Sequence, residues 1–237
     1  MPFSRRSVAI VALLAPIAAL ATGGAPVAAQ GTAGDFLLPD YRFESGEVLH
    51  DLRLHYVTLG SPRRDAAGVV RNAVLILHGT GGTGSQFLGA GFAGELYGAG
   101  QPLDTTKFYV ILPDNIGHGR SSKPSDALRM RFPHYGYTDM VKLQQLLLSR
   151  GLGVTHLHLI MGTSMGCMHA WLWGYLYPDA ADGLVPLACA PTQIAGRNRM
   201  MRRMIMEDIT SDPEWKGGEY LAPPTHLAPR ISIRDSR

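Results

Sequence analysis

The chain has 237 residues, with 22 Lys and Arg against 19 Asp and Glu, an apolar content of 46% and a charged content of 17%. That balance excludes a disordered chain and gives no reason to expect a nucleic-acid partner. Two Cys exclude a disulfide-rich scaffold. With no H-E-x-x-H and no C-x-x-C present, neither a metal nor a cofactor is expected.

Residues 1–29 read as a secretory signal. Arg5 and Arg6 form a basic start, Val8 to Ala21 a short apolar stretch broken by Pro16, and Val27-Ala28-Ala29 a small-residue cleavage site before Gln30. Ser4-Arg5-Arg6 is compatible with twin-arginine export. The apolar run is short for a membrane span, so a periplasmic or secreted protein with no stable anchor after cleavage is expected. An uncleaved anchor is the alternative. Without residues 1–29, 20 basic and 19 acidic groups remain. Cys167 and Cys189 could oxidise outside the cytoplasm, but both fall in apolar segments, which predicts buried free thiols.

A core is predicted over residues 30–191. Tyr41–Ser45 and Leu52–Gly60 read as an opening pair of strands, followed by a polar connection over Ser61–Ala67. Val74–Leu77, Phe108–Leu112, Leu157–Met161 and Leu184–Cys189 are short continuous apolar runs, as strands covered on both faces should be. Thr138 or Asp139 caps a helix with Met140, Leu143, Leu146, Leu147 and Arg150 at helical spacing, stopped by Gly151. Met165, Met168, Leu172 and Leu176 form a core stripe on the next helix, which ends before Pro178. Strands alternating with helices predict an α/β fold with a mostly parallel sheet. Residues 192–220 read as the start of a helical, Arg-rich cap, and residues 221–237 as an irregular Pro-rich tail.

The sharpest motif is Gly162-Thr163-Ser164-Met165-Gly166, between an apolar strand and an amphipathic helix. That context turns G-x-S-x-G into a nucleophile elbow, with a strained serine whose Oγ stands clear of the sheet edge. The flanking glycines are needed because strand and helix pass close there. Upstream, the VLIL strand runs into His78-Gly79-Thr80-Gly81-Gly82, where a loop supplies one oxyanion donor. Thr80 N–H and Met165 N–H are the candidate donors. His118, within Asp114–Ser121, reads as a turn residue, and His156 and His158 as structural residues on one side of a strand.

These residues resemble the α/β-hydrolase superfamily and, within it, the homoserine O-acetyltransferase group. The resemblance runs from about Gly98 to Tyr220 through Leu103-Asp104-Thr105, Phe132-Pro133, the helix start Thr138-Asp139-Met140-Val141, the serine elbow, Asp212-Pro213-Glu214-Trp215 and Gly217-Gly218-Glu219-Tyr220. It implies that Ser164 accepts an acyl group. It also implies that Asn198 and Arg202 match an Asn-x-x-x-Arg stretch in which the Arg holds a substrate carboxylate. A solvated helix face is the alternative for these arginines. The chain departs from the group at Thr163 and Cys167, where glycines are usual, and at His78-Gly79-Thr80-Gly81 in place of His-Ala-Leu-Thr. Export also sits badly with cytosolic acetyl transfer. The expectation is therefore a serine-dependent ester or acyl hydrolase acting on a small-molecule ester or acyl donor, and a homodimer is compatible with it.

In this fold the acid and histidine follow the serine on later strands. After Ser164 one strand is evident, and Asp208 or Asp212 with His226 has the right order but no sheet edge to hold it. The expectation is an α/β-hydrolase fold lacking its last strands, weakly active or inactive, whose native reading ends near Tyr220. A homoserine acetyltransferase-like enzyme and a non-catalytic, degenerate binding module are the competing readings.

Overall fold

The computed structural model describes residues 31–220. The signal reading, His226 and the tail from Leu221 lie outside the described residues. Among the described residues six strands form one sheet: β1 (Thr32–Arg42), β2 (Val48–Leu59), β3 (Ala73–Leu77), β4 (Tyr109–Pro113), β5 (Leu159–Thr163) and β6 (Leu184–Leu187). Their order is β1-β2-β4-β3-β5-β6. The first two strands pair antiparallel and β2 joins β4 antiparallel; the β4–β3, β3–β5 and β5–β6 pairings are parallel. The helices are α1 (Ala90–Leu96), α2 (Tyr137–Leu146), α3 (Met165–Leu176) and α4 (Gly196–Thr210).

The burial of β3 explains its unbroken apolar sequence. Val74 and Ile76 pack with Val110, Leu112, Phe87, Ala93 and Tyr97, on the α1 face. Leu75 and Leu77 pack with Val141, Leu148, Ala170 and Trp173, on the α2 and α3 face. A strand with helices on both sides has no polar face to show. At the other margin, β6 pairs with β5 alone among the described residues and is only half-buried, with Leu187 exposed.

The structure corrects several sequence expectations. The opening strand is Thr32–Arg42, and Tyr41–Ser45 is its end and the following turn. TAGDFLLPDYR hides its strand character because most of its residues face solvent, and Pro39 and Asp51 drop out of the ladder where Asp51 takes φ 52°. The capping residue before α2 is Gly136, not Thr138 or Asp139. Asp139 acts one turn later, accepting the N–H of Gly136 at 3.1 Å and that of Glu44 at 3.0 Å. The third parallel strand starts at Leu159. His156 and His158 thus precede it and both bond Asp182, at 2.8 and 3.2 Å.

On α3 the buried residues are Met165, Gly166, Cys167, His169, Ala170 and Trp173; of the expected stripe Met165 is core, Leu172 and Leu176 are partly buried against the core, and Met168 lines a cavity. The helix is apolar nearly all round, so spacing alone does not select its inner face. The expectation of free thiols is also overturned. Cys167 and Cys189 form a disulfide, their Cα atoms 5.9 Å apart. Both thiols lie in apolar segments as expected, but the turn after β6 brings the second beside the first.

Candidate active site

Ser164 joins β5 to α3 with φ 53° and ψ −112°, a left-handed conformation that L-residues other than glycine rarely adopt. Its side chain is exposed. Its backbone N–H donates to Leu187 O at 2.9 Å, and its carbonyl accepts from Met168 N–H at 3.2 Å as α3 begins. The close packing that requires the two glycines is measurable. A methyl on Gly162 would lie 2.0 Å from Gly166 O, and one on Gly166 would lie 2.1 Å from Leu77 O. Strand, elbow and helix are therefore interlocked through bare backbone.

The loop after β3 runs beside the elbow. A methyl on Gly79 would sit 3.2 Å from Ser164 Cβ and 3.9 Å from its Oγ. Fully buried His78 fixes this loop. Its Nε2 receives the backbone N–H of Asn115 at 3.0 Å, and since a backbone N–H can only donate, the ring proton resides on Nδ1. Nδ1–H then donates to Gly79 O at 2.8 Å, which also accepts from Gly82 N–H at 3.1 Å. The Gly79–Thr80 peptide is trans, so Thr80 N–H points away from the His78 ring. Burial, the largest influence, holds the His78 pKa below its ordinary value, in keeping with a neutral ring. Asp114 anchors the next part of the loop. Its carboxylate accepts Gly84 N–H and Arg120 N–H, both at 2.8 Å.

A buried polar chain continues from His78 to α3. Gln144 Nε2 donates to Asn115 Oδ1 at 2.5 Å and to His169 Nδ1 at 3.3 Å, and Gln144 Oε1 accepts from Trp173 Nε1 at 2.7 Å. His169 therefore carries its proton on Nε2, which finds no acceptor among the described residues. Burial first, then the neighbouring His78 and His118, lower its pKa to about 3. The ring of His118 lies 5.1 Å from that of His78, and its Nδ1 is 3.1 Å from Ile116 O, within the turn expected for it.

Ser164, Met165, Asn198 and Arg202 line one cavity of about 240 Å³, together with Tyr137, Met168 and the segment 188–195. Thr80 is exposed and is not part of that lining. Asn198 and Arg202 lie one turn apart on α4, and Arg202 Nε donates to Asn198 Oδ1 at 2.8 Å. No residue of α4 is buried, so its arginines face the cavity or solvent. No histidine among the described residues lines this cavity. Asp212 is occupied elsewhere, closing a tight turn by accepting Glu214 N–H at 2.8 Å. Among the described residues no cluster of three or more His, Cys, Asp or Glu could hold a metal ion. No described helix is long and apolar enough to cross a membrane. The features missed in the sequence are the His78–Asn115–Gln144 chain and the disulfide; only the juxtaposition of distant segments reveals them.

Residues 72–225 match the alpha/beta hydrolase fold family, and the chain belongs to that family. A probable acyltransferase from Methanothermobacter thermautotrophicus is 33% identical over 187 residues, 78% of this chain and 57% of its own length. The crystal structure of an acetylester hydrolase from Corynebacterium glutamicum superposes with a TM-score of 0.70 at 26% identity, covering 81% of this chain and 53% of that one. A homoserine O-acetyltransferase from Bacillus anthracis gives a TM-score of 0.71 at 26% identity, with coverages of 86% and 58%. The chain spans about half the length of the curated relatives it matches. The homoserine O-acetyltransferase resemblance read from the motifs is thus matched by relatives bearing that name.

Proposed function

We propose that Ser164 is the nucleophile of an acyl-transfer reaction, and that hydrolysis of a small ester outside the cytoplasm is the activity. The observation that carries this reading is the exposed, left-handed serine at the head of α3, against the loop held by His78. Such strain persists where a reacting group must be presented. In the proposed step Oγ bonds to the ester carbonyl carbon and the carbonyl oxygen becomes negative. Met165 N–H, in the first turn of α3, and Thr80 N–H receive that charge. The C–O bond to the alcohol then breaks as the carbonyl re-forms, and the leaving oxygen takes up, by way of solvent, the proton lost from Oγ; water then cleaves the acyl-serine to the free acid and Ser164–OH.

The serine proton needs a base, and no histidine of the described residues reaches the cavity. Loss of the histidine from such a constellation costs about 10⁶ in kcat and leaves roughly 10³–10⁴ over water. Slow turnover is therefore expected of this chain. The disulfide supports the reading of residues 1–29 as an export signal, because disulfides persist in oxidising compartments.

A second reading is favoured by one feature, the Asn198–Arg202 pair. Asn198 holds Arg202 Nε, which leaves the terminal nitrogens to grip a carboxylate in the serine cavity. That suits an acceptor such as an amino acid, as in an O-acetyltransferase.

A fluorophosphonate probe tests the main reading. Mass spectrometry should find the adduct on Ser164 and none in Ser164→Ala. A labelled Ser164→Ala chain, or an unlabelled native chain, sinks it. Release of CoA from acetyl-CoA with homoserine, with no hydrolysis of p-nitrophenyl acetate, would favour the second reading.

A further inference from the structure

The disulfide lies within the candidate site. Cys167 is the third residue of α3 and fully buried, whereas Cys189 follows β6 by two residues and lines the Ser164 cavity. Between β6 and Cys189 stands Ala188, a non-glycine residue at φ 61°. Just before it, Leu187 O accepts the backbone N–H of Ser164. Two left-handed residues thus face each other across the β5–β6 pairing, one presenting the hydroxyl and one turning the chain over it. Beyond them the segment 188–195 forms one wall of the cavity. Among the described residues no backbone hydrogen bond joins residues 189–194 to the rest of the fold. The Sγ–Sγ bond is what attaches this wall to the nucleophile helix.

We propose that the Cys167–Cys189 disulfide is a positioning device for the serine site, holding the 188–195 wall over Ser164, and that a dithiol reductant releases it. The thiolate of the reductant attacks Sγ of Cys189, the more exposed partner, and displaces the Cys167 thiolate. The second thiol of the reductant then displaces Cys189. Two electrons and two protons pass from the dithiol, which becomes a cyclic disulfide, and Cys167 and Cys189 become thiols. Ala188 is then free to leave its strained conformation, and the wall opens. The effect on activity rests on the reading of Ser164 as the acyl-accepting nucleophile; the attachment of the wall does not.

The test compares the full chain, oxidised and after dithiothreitol, by two measurements. Cleavage by proteinase K within residues 188–195 should speed about tenfold or more on reduction, with β3 and β5 uncut in both states. Labelling of Ser164 by a fluorophosphonate should slow at least about threefold on reduction. Cys167→Ala/Cys189→Ala should behave as the reduced chain with or without dithiothreitol; if that variant does not fold, the two states of the native chain carry the comparison. Unchanged cleavage at 188–195 overturns the clamp. Faster cleavage with unchanged labelling overturns its positioning role. If Ser164 is labelled in neither state, the serine reading and the positioning role fail, and the cleavage result alone decides the clamp.

Discussion

Asn115 donates its backbone N–H to Nε2 of His78 at 3.0 Å, and this one bond decides which way the Gly79–Thr80 peptide faces. Replacing His78 by Leu should strand the buried Asn115 amide and leave Gly79 O with Gly82 N–H as its one remaining donor. One buried donor without a partner costs about 1–3 kcal/mol. Urea denaturation should show that loss. Ser164 labelling should also slow by up to about 10²-fold, the usual worth of one oxyanion donor. A variant with native labelling would detach His78 from the loop's alignment.

Gly162 and Gly166 allow a direct steric test. Gly166→Ala places a methyl 2.1 Å from Leu77 O, against backbone that cannot rotate away. Overpacking of this kind costs about 1–3 kcal/mol or more, and the chain should melt well below the native protein or fail to fold. Gly91→Ala, a helical position with nothing within 4 Å, should leave melting unchanged or raise it.

His78 and His169 set an acid limit on stability. Both have folded pKa values below the ordinary 6.5, that of His169 at about 3. Below pH 6.5 the unfolded chain therefore takes up protons that the folded chain refuses. Stability is full above that pH and falls as pH drops, for His169 toward 3 by on the order of 1 kcal/mol per pH unit, with His78 adding in the same direction. His169→Phe should flatten the fall without removing it, because His78 remains. Urea midpoints between pH 7 and pH 4.5 measure both slopes; equal slopes for the two proteins would contradict the assignment.

The disulfide closes a loop with a sequence separation of 22. On chain-entropy grounds its removal costs roughly 3 kcal/mol. Cys167→Ala/Cys189→Ala should therefore unfold at lower urea in both oxidising and reducing buffer. The native chain should reach the same midpoint only when reduced.

The parts of the fold legible in the sequence were those where local pattern and tertiary demand coincide. Val74–Leu77 reads as a doubly covered strand because it is one, and Gly162-Thr163-Ser164-Met165-Gly166 is a contiguous motif whose glycines are demanded by bare backbone, Gly162 against Gly166 and Gly166 against Leu77. Thr32–Arg42 was hidden because an edge strand with most residues in water has little hydrophobic period to show. The inner face of α3 was ambiguous for the opposite reason, apolar residues on every side. The His78–Asn115–Gln144 chain and the Cys167–Cys189 pair join positions remote in sequence, and no local spacing encodes them. Ser164, Met165, Asn198 and Arg202 do share one cavity, while Thr80 stands apart from its lining.

The backbone at Ser164, held at φ 53°, would suit glycine better than the residue it carries. Ser164→Gly should consequently be the sturdier protein and the chemically silent one. Directed evolution guided only by heat resistance would drift toward that exchange, so selection on this scaffold has to reward bond-making alongside endurance.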